Sequence, residues 1–90
     1  MPRPKIHRNI THTPGVLYFK PQGVPLRMLE EVVLLRDELE ALKLHDVEGL
    51  DQTESAQRMG VSQPTFGRVL DSAYKKIADA IVHGKAIRIA

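Results

Sequence analysis

The spacing of apolar residues in the last third of the chain leaves few folds open. Phe66, Val69, Leu70, Ala73, Ile77, Ala80 and Ile81 recur at i, i+3, i+4 and i+7, which draws one apolar stripe along about four turns of helix. Pro64, Arg68, Asp71 and Lys75 fall on the opposite side. Ser62 can accept a hydrogen bond from a first-turn N–H, and Pro64 sits where a missing N–H costs little, so the helix is expected to start at 62 or 63. Gly84 after His83 supplies a residue free to turn at positive φ, which ends it.

A second helix precedes it closely. Asp51 and Glu54 have capping-box spacing, and Gly60 stops the segment they open. Small Ala56 permits two helices to approach, while Met59, Val61, Phe66 and Val69 fall where such a pair needs a shared core. Residues 51–84 are therefore expected to form a helix-turn-helix. Upstream, Asp37 to about Val47 forms a third amphipathic pattern with Leu39, Leu42 and Val47 on one side, Glu38, Glu40 and Lys43 elsewhere, and Gly49 after it. VLYF at 16–19 and KAIRIA at 85–90 suit short strands that pair with each other or across a dimer. The expected fold is mainly α, a helix-turn-helix domain of three to four helices over 15–90 with its core at 37–84 and short extended segments near both ends.

Charge divides the chain by region. Residues 1–29 carry Arg3, Lys5, Arg8, Lys20 and Arg27 with no acid, 30–54 carry nine acids against Arg36 and Lys43, and 55–90 carry six basic residues against Asp71 and Asp79. A basic arm at 1–14, expected to be mobile in the free protein, and a basic last helix would face phosphate while the acidic helix faces away. EVVLL at 31–35 is more apolar surface than a small three-helix core readily hides. With the end segments and part of 26–35, it is expected to form a homodimer interface.

Enzymatic chemistry finds no constellation. His7, His12, His45 and His83 are scattered without metal-ligand spacing, and no Gly-rich phosphate loop follows a strand. No cofactor, no metal and no catalytic residue is expected. The chain has no cysteine, which excludes disulfides and thiolate metal sites and suits a reducing cytoplasm. No run of 18 apolar residues appears, and MPRPKIHRNI lacks the apolar centre of a signal peptide, so a cytoplasmic protein with no membrane partner is expected.

MPRPK, LYFKPQGVPLR, EEVVL, DELEALKLHDVEGL and ESAQRMGVSQPTFGRVLDSAYKKIADAIVHGKAIRI, in that order, resemble the small bacterial and archaeal family called domain of unknown function 134. The resemblance covers nearly the whole chain. It implies a DNA-binding protein whose helix-turn-helix is similar to region four of bacterial sigma factors. Carried over position by position, it gives Gln63, Pro64, Gly67 and Arg68 reader-like places and makes Lys75 and Lys76 a basic pair. Pro64 and Gly67 bring no hydrogen-bonding side chain, so base reading falls on Gln63 and Arg68, with Thr65 a lesser candidate. Candidate DNA contacts are thus Ser62, Gln63, Thr65, Arg68, Ser72, Lys75 and Lys76 on the helix, with Arg3, Lys5 and Arg8 on the arm. The implied function is a sequence-specific transcriptional regulator bound to double-stranded DNA as a homodimer. The competing class is a protein-interaction module with a sigma-like fold that presents its acidic 30–54 surface to a polymerase or another regulator of the transcription machinery.

Overall fold

The computed structural model describes residues 17–90. In chain order these form β1 (Leu17–Phe19), a 3-10 turn (Leu26–Met28), β2 (Glu31–Leu34), α1 (Arg36–Leu42), α2 (Gln52–Met59), α3 (Gln63–His83) and β3 (Ala86–Ile89). One π-helical turn, Lys43–Val47, prolongs α1. Three helices surround an apolar core, and a three-stranded sheet closes one side of α3.

The chain ends each of the last two helices in the same way. Gly60 takes φ 72° after α2, where its N–H reaches Gln57 O at 3.1 Å and that of Val61 reaches Ala56 O at 3.0 Å. This paired closure satisfies carbonyls that the helix would leave orphaned, and the left-handed residue it needs has least strain as glycine. Ser62 then opens α3 by accepting from Thr65 N at 3.2 Å, and Gly84 at φ 68° closes it after twenty-one helical residues. Only Gly60, Val61 and Ser62 separate α2 from α3, so the two helices form the expected helix-turn-helix.

Phe66, Ala41, Ala56 and Leu70 form the core where the three helices meet, with Leu42, Met59, Val61 and Val69 packed around them. A second cluster joins Ala73 of α3 to Leu34 and Ile89 of the sheet. The sheet order is β1-β3-β2, antiparallel in the first pair and parallel in the second. Its register aligns Leu17 with Ile89 and Leu34, and Phe19 with Ile87 and Val32. Because alternate residues share a face, those six apolar side chains lie on one side of the sheet.

Three sequence expectations need correction. EVVLL is largely not spare surface: β2 uses residues 31–34, Leu34 is buried, and Val32 and Val33 are half-buried, which leaves Leu35, 46% exposed, as its exposed apolar residue. The end strands pair with each other as expected, β1 on one edge of β3, and β2 takes the other edge. The inward face of α1 also differs, since Glu38, Ala41 and Leu44 are buried whereas Leu39 is 40% and Val47 79% exposed. A carboxylate ranks last among core candidates, so a stripe drawn from apolar residues passes it by. Finally, the α3 stripe stops at Ala80; Ile81 is 73% exposed because the sheet covers only part of the last turns. Val16 lies outside the described residues, as does the arm at 1–14.

Candidate nucleic-acid interface

The outward side of α3 carries the expected row. Gln63, Pro64, Arg68, Asp71 and Lys75 are exposed, Thr65 and Gly67 half-exposed, while Phe66, Leu70 and Ala73 between them hold the helix to the core. The same pattern that buries one face therefore fixes which side chains the other presents. Lys75 pairs with Asp71 at 3.3 Å one turn away, an exposed contact worth a few tenths of a kcal/mol. Asp71 thus serves Lys75. Among the described residues Arg68 makes no ion pair, which leaves its five donors to solvent or a partner.

The first turn is partly occupied by its own capping. Ser62 Oγ accepts from Thr65 N and donates to Thr65 Oγ1 at 2.9 Å, so the Ser62 hydroxyl serves the helix start. The Thr65 hydroxyl keeps its own hydrogen for another acceptor. Gln63 Oε1 accepts from Thr53 Oγ1 at 3.2 Å. Nothing in linear spacing signals that contact, because it joins the first turns of two helices brought together by the Gly60 turn.

Two expected DNA contacts face inward instead. Lys76 Nζ lies 2.8 Å from Glu38 Oε1 and 2.8 Å from Val33 O, and Ser72 Oγ donates to Glu38 Oε2 at 2.5 Å. Leu35 N donates to the same carboxylate at 2.8 Å, which is half a capping box, since Leu35 offers no side-chain acceptor in return. Glu38 is only 4% exposed. Burial pushes its pKa up, but hydrogen bonds from Lys76, Ser72 and Leu35 N–H, with the Lys76 charge, hold it below the usual carboxylate value. The cluster ties β2, α1 and α3 together. Lys75 and Lys76 separate because neighbours on a helix point about 100° apart.

Arg3, Lys5 and Arg8 lie outside the described residues. Other titratable groups make contacts inside the fold. His45 Nδ1 contacts Leu50 O at 2.7 Å and its ring meets Phe66 edge-on at 6.3 Å between centroids. Tyr74 donates to Asp46, 2.7 Å to the nearer oxygen, so burial and that carboxylate push its pKa up to about 12. Lys85 and His83 both engage Asp79, and the hydrogen bond from Lys85, then that from His83, holds its pKa low. Among the described residues no three His, Asp or Glu side chains group to hold a metal, and no helix is long and apolar enough to cross a membrane.

Among the described residues Gly67 has no steric reason. A Cβ built there meets only Gln52 Oε1, at 3.8 Å, an ordinary contact. A helix-interior glycine costs about 1 kcal/mol relative to alanine.

The family described as "Protein of unknown function DUF134" matches residues 1–90. The chain belongs to this family. Among curated proteins similar to this DUF134 chain, a UPF0251 protein of Moorella thermoacetica is 63% identical over 89 residues, covering 99% of this chain and 60% of that one. UPF0251 protein TTE1845 of Caldanaerobacter subterraneus subsp. tengcongensis is 58% identical, covering 99% and 75%. A UPF0251 protein of Prosthecochloris aestuarii is 58% identical over 87 residues, covering 97% and 56%. The chain thus spans between 56% and 75% of the length of these relatives. No solved structure matches it.

Proposed function

We propose that this chain is a sequence-specific DNA-binding protein acting in transcriptional regulation, with the N-terminal half of α3 in the major groove. The observation that carries this reading is Arg68, exposed and without an ion pair among the described residues, on the outward face of the second helix of a helix-turn-helix. A guanidinium there can fork onto guanine O6 and N7, while Lys75, a point charge farther along the same face, suits phosphate. Ser62 and Thr65 border this surface, and the arm with Arg3, Lys5 and Arg8 adds phosphate contacts. The likeness to sigma region four belongs to the same reading, as do a cytoplasmic setting and the absence of enzymatic chemistry.

The test compares two substitutions. Arg68→Ala is expected to cost roughly 1–3 kcal/mol on the preferred sequence and to flatten preference at one base position. Lys75→Ala is expected to weaken binding to all sequences alike and to reduce the salt slope by about one unit, through one lost phosphate contact. Fluorescence anisotropy on selected and random duplexes over a salt series reads both. Equal effects would make Arg68 another phosphate contact, and no effect from either would favour the protein-interaction module.

Two reading side chains are few for one site, so the proposal includes a homodimer on paired half-sites. With residues 31–34 used inside the fold, an apolar surface left for it at the end segments is the outer edge of β1 beside α3, where Phe19 is 58% and Ile81 73% exposed. These two residues line an open groove of about 230 Å3. Light scattering at micromolar concentration is expected to give twice the 10.1 kDa chain mass. A value near the single-chain mass would remove the dimer.

A further inference from the structure

We infer that Thr53 is a positioning residue for base reading: from α2 it fixes the amide of Gln63, so that Gln63 presents its NH2 group and reads a purine. The inference rests on the DNA-binding proposal above and adds the first turn of α2 to its surface. Gln63 is the first residue of α3 and is exposed, with three side-chain torsions that nothing in its own helix restrains. Thr53 is the second residue of α2, also exposed, and its Oγ1 donates to Gln63 Oε1 at 3.2 Å. A separate approach runs alongside, since Gln52 Oε1 lies 3.8 Å from where a Cβ on Gly67 would be. The start of α2 therefore borders the reading face of α3 at two points. Both contacts depend on the Gly60 turn, and neither contributes to the apolar core.

The chemistry of the amide sets the consequence. A glutamine that reads adenine alone needs its carbonyl and its NH2 turned together onto N6 and N7. With the carbonyl directed at Thr53, the NH2 is the group turned outward; its major-groove acceptors are N7, which adenine and guanine share, guanine O6, and thymine O4, the last crowded by the adjacent C5-methyl group. The base opposite Gln63 is thus read as a purine rather than as adenine. Holding the side chain in advance also removes part of the ordering cost of binding.

The experiment uses the full chain, selection from randomised duplexes, and anisotropy titrations of Thr53→Val and Thr53→Ser. Valine keeps the shape and a comparable helix preference but cannot donate. Wild type is expected to prefer purine at one position, Thr53→Val to lose roughly 2- to 12-fold of that discrimination, the equivalent of one neutral hydrogen bond, and Thr53→Ser to retain it. Thermal unfolding of both variants is expected to match wild type, because Thr53 is exposed. A Thr53→Val protein with unchanged preference overturns the positioning role alone, and so does one that loses affinity for all sequences in step with its stability. An adenine-only preference in wild type overturns the purine assignment. Absence of duplex binding by wild type overturns this inference together with the function it rests on.

Discussion

Lys76→Met is expected to lower stability by about 3 kcal/mol, against less than about 0.5 kcal/mol for Lys75→Met. The two lysines are adjacent, and their environments set the difference. Removing one partner of a buried ion pair costs about 3–5 kcal/mol, because the other charge is left without compensation in a poorly solvated site. The Lys76 side chain keeps 30% of its exposure and Glu38 only 5%, so the lower end of that range applies. In the double variant Glu38→Leu with Lys76→Met, most of the loss should return, since no charge remains buried and Leu35 N–H, at an exposed residue, can turn to water. The acid limb gives an independent check. Glu38 has a folded pKa below its unfolded value, so its contribution is present above about pH 4.3 and is lost as pH falls through the folded value. Urea unfolding from neutral pH to pH 3 should show wild type losing stability faster than the double variant. If Lys76→Met and Lys75→Met prove equally mild, the ion pair is not what holds β2, α1 and α3 together, and Lys76 returns as a phosphate contact.

That pair also marks where sequence reading stops. Caps and turns were legible because their chemistry is local: Asp51, Gly60, Ser62 and Gly84 each act within four residues, and the structure has all four in the expected roles. The outward row Pro64, Arg68, Asp71 and Lys75 followed from the same periodicity that defined the buried face. Contacts between distant segments left no such trace. Glu38 meets Ser72 and Lys76 across thirty-four and thirty-eight residues, and a glutamate on an amphipathic helix is indistinguishable from a solvated one until its partners are placed. Residues 31–34 read as surplus apolar surface for a similar reason. Their use depends on β3, more than fifty residues away, having a second edge to fill. The Thr53 to Gln63 contact was hidden by the turn itself, since linear spacing cannot say which side chains two helix starts bring within 3.2 Å.

Phe66→Ala is expected to cost about 3–5 kcal/mol, a large part of the roughly 5–15 kcal/mol that holds a domain of this kind folded. Phe66 has no exposed surface and packs where α1, α2 and α3 converge, against Ala41, Ala56 and Leu70. Two of those neighbours are alanines, whose side chains have no rotamers with which to fill a vacated volume. The cavity can close only if whole helices move, and the ion pair of Glu38 with Lys76 resists that for α1 and α3. Loss of the edge-on contact with His45 adds to the cost. Phe66→Leu, which keeps most of the volume, should cost less than about 1.5 kcal/mol. Ile81→Ala supplies the deciding comparison. Both residues belong to one apolar stripe by sequence, but Ile81 is 73% exposed, so its truncation should stay within about 0.5 kcal/mol. Urea midpoints that shift at constant m-value would measure all three. Similar losses from Phe66→Ala and Ile81→Ala would mean that α3 is buried along its full length and that the sheet reaches its last turn, leaving no groove beside β1 for a second copy. A large loss from Phe66 alone would fix the rigid end of α3 at its first two turns, the end that carries Gln63 and Arg68.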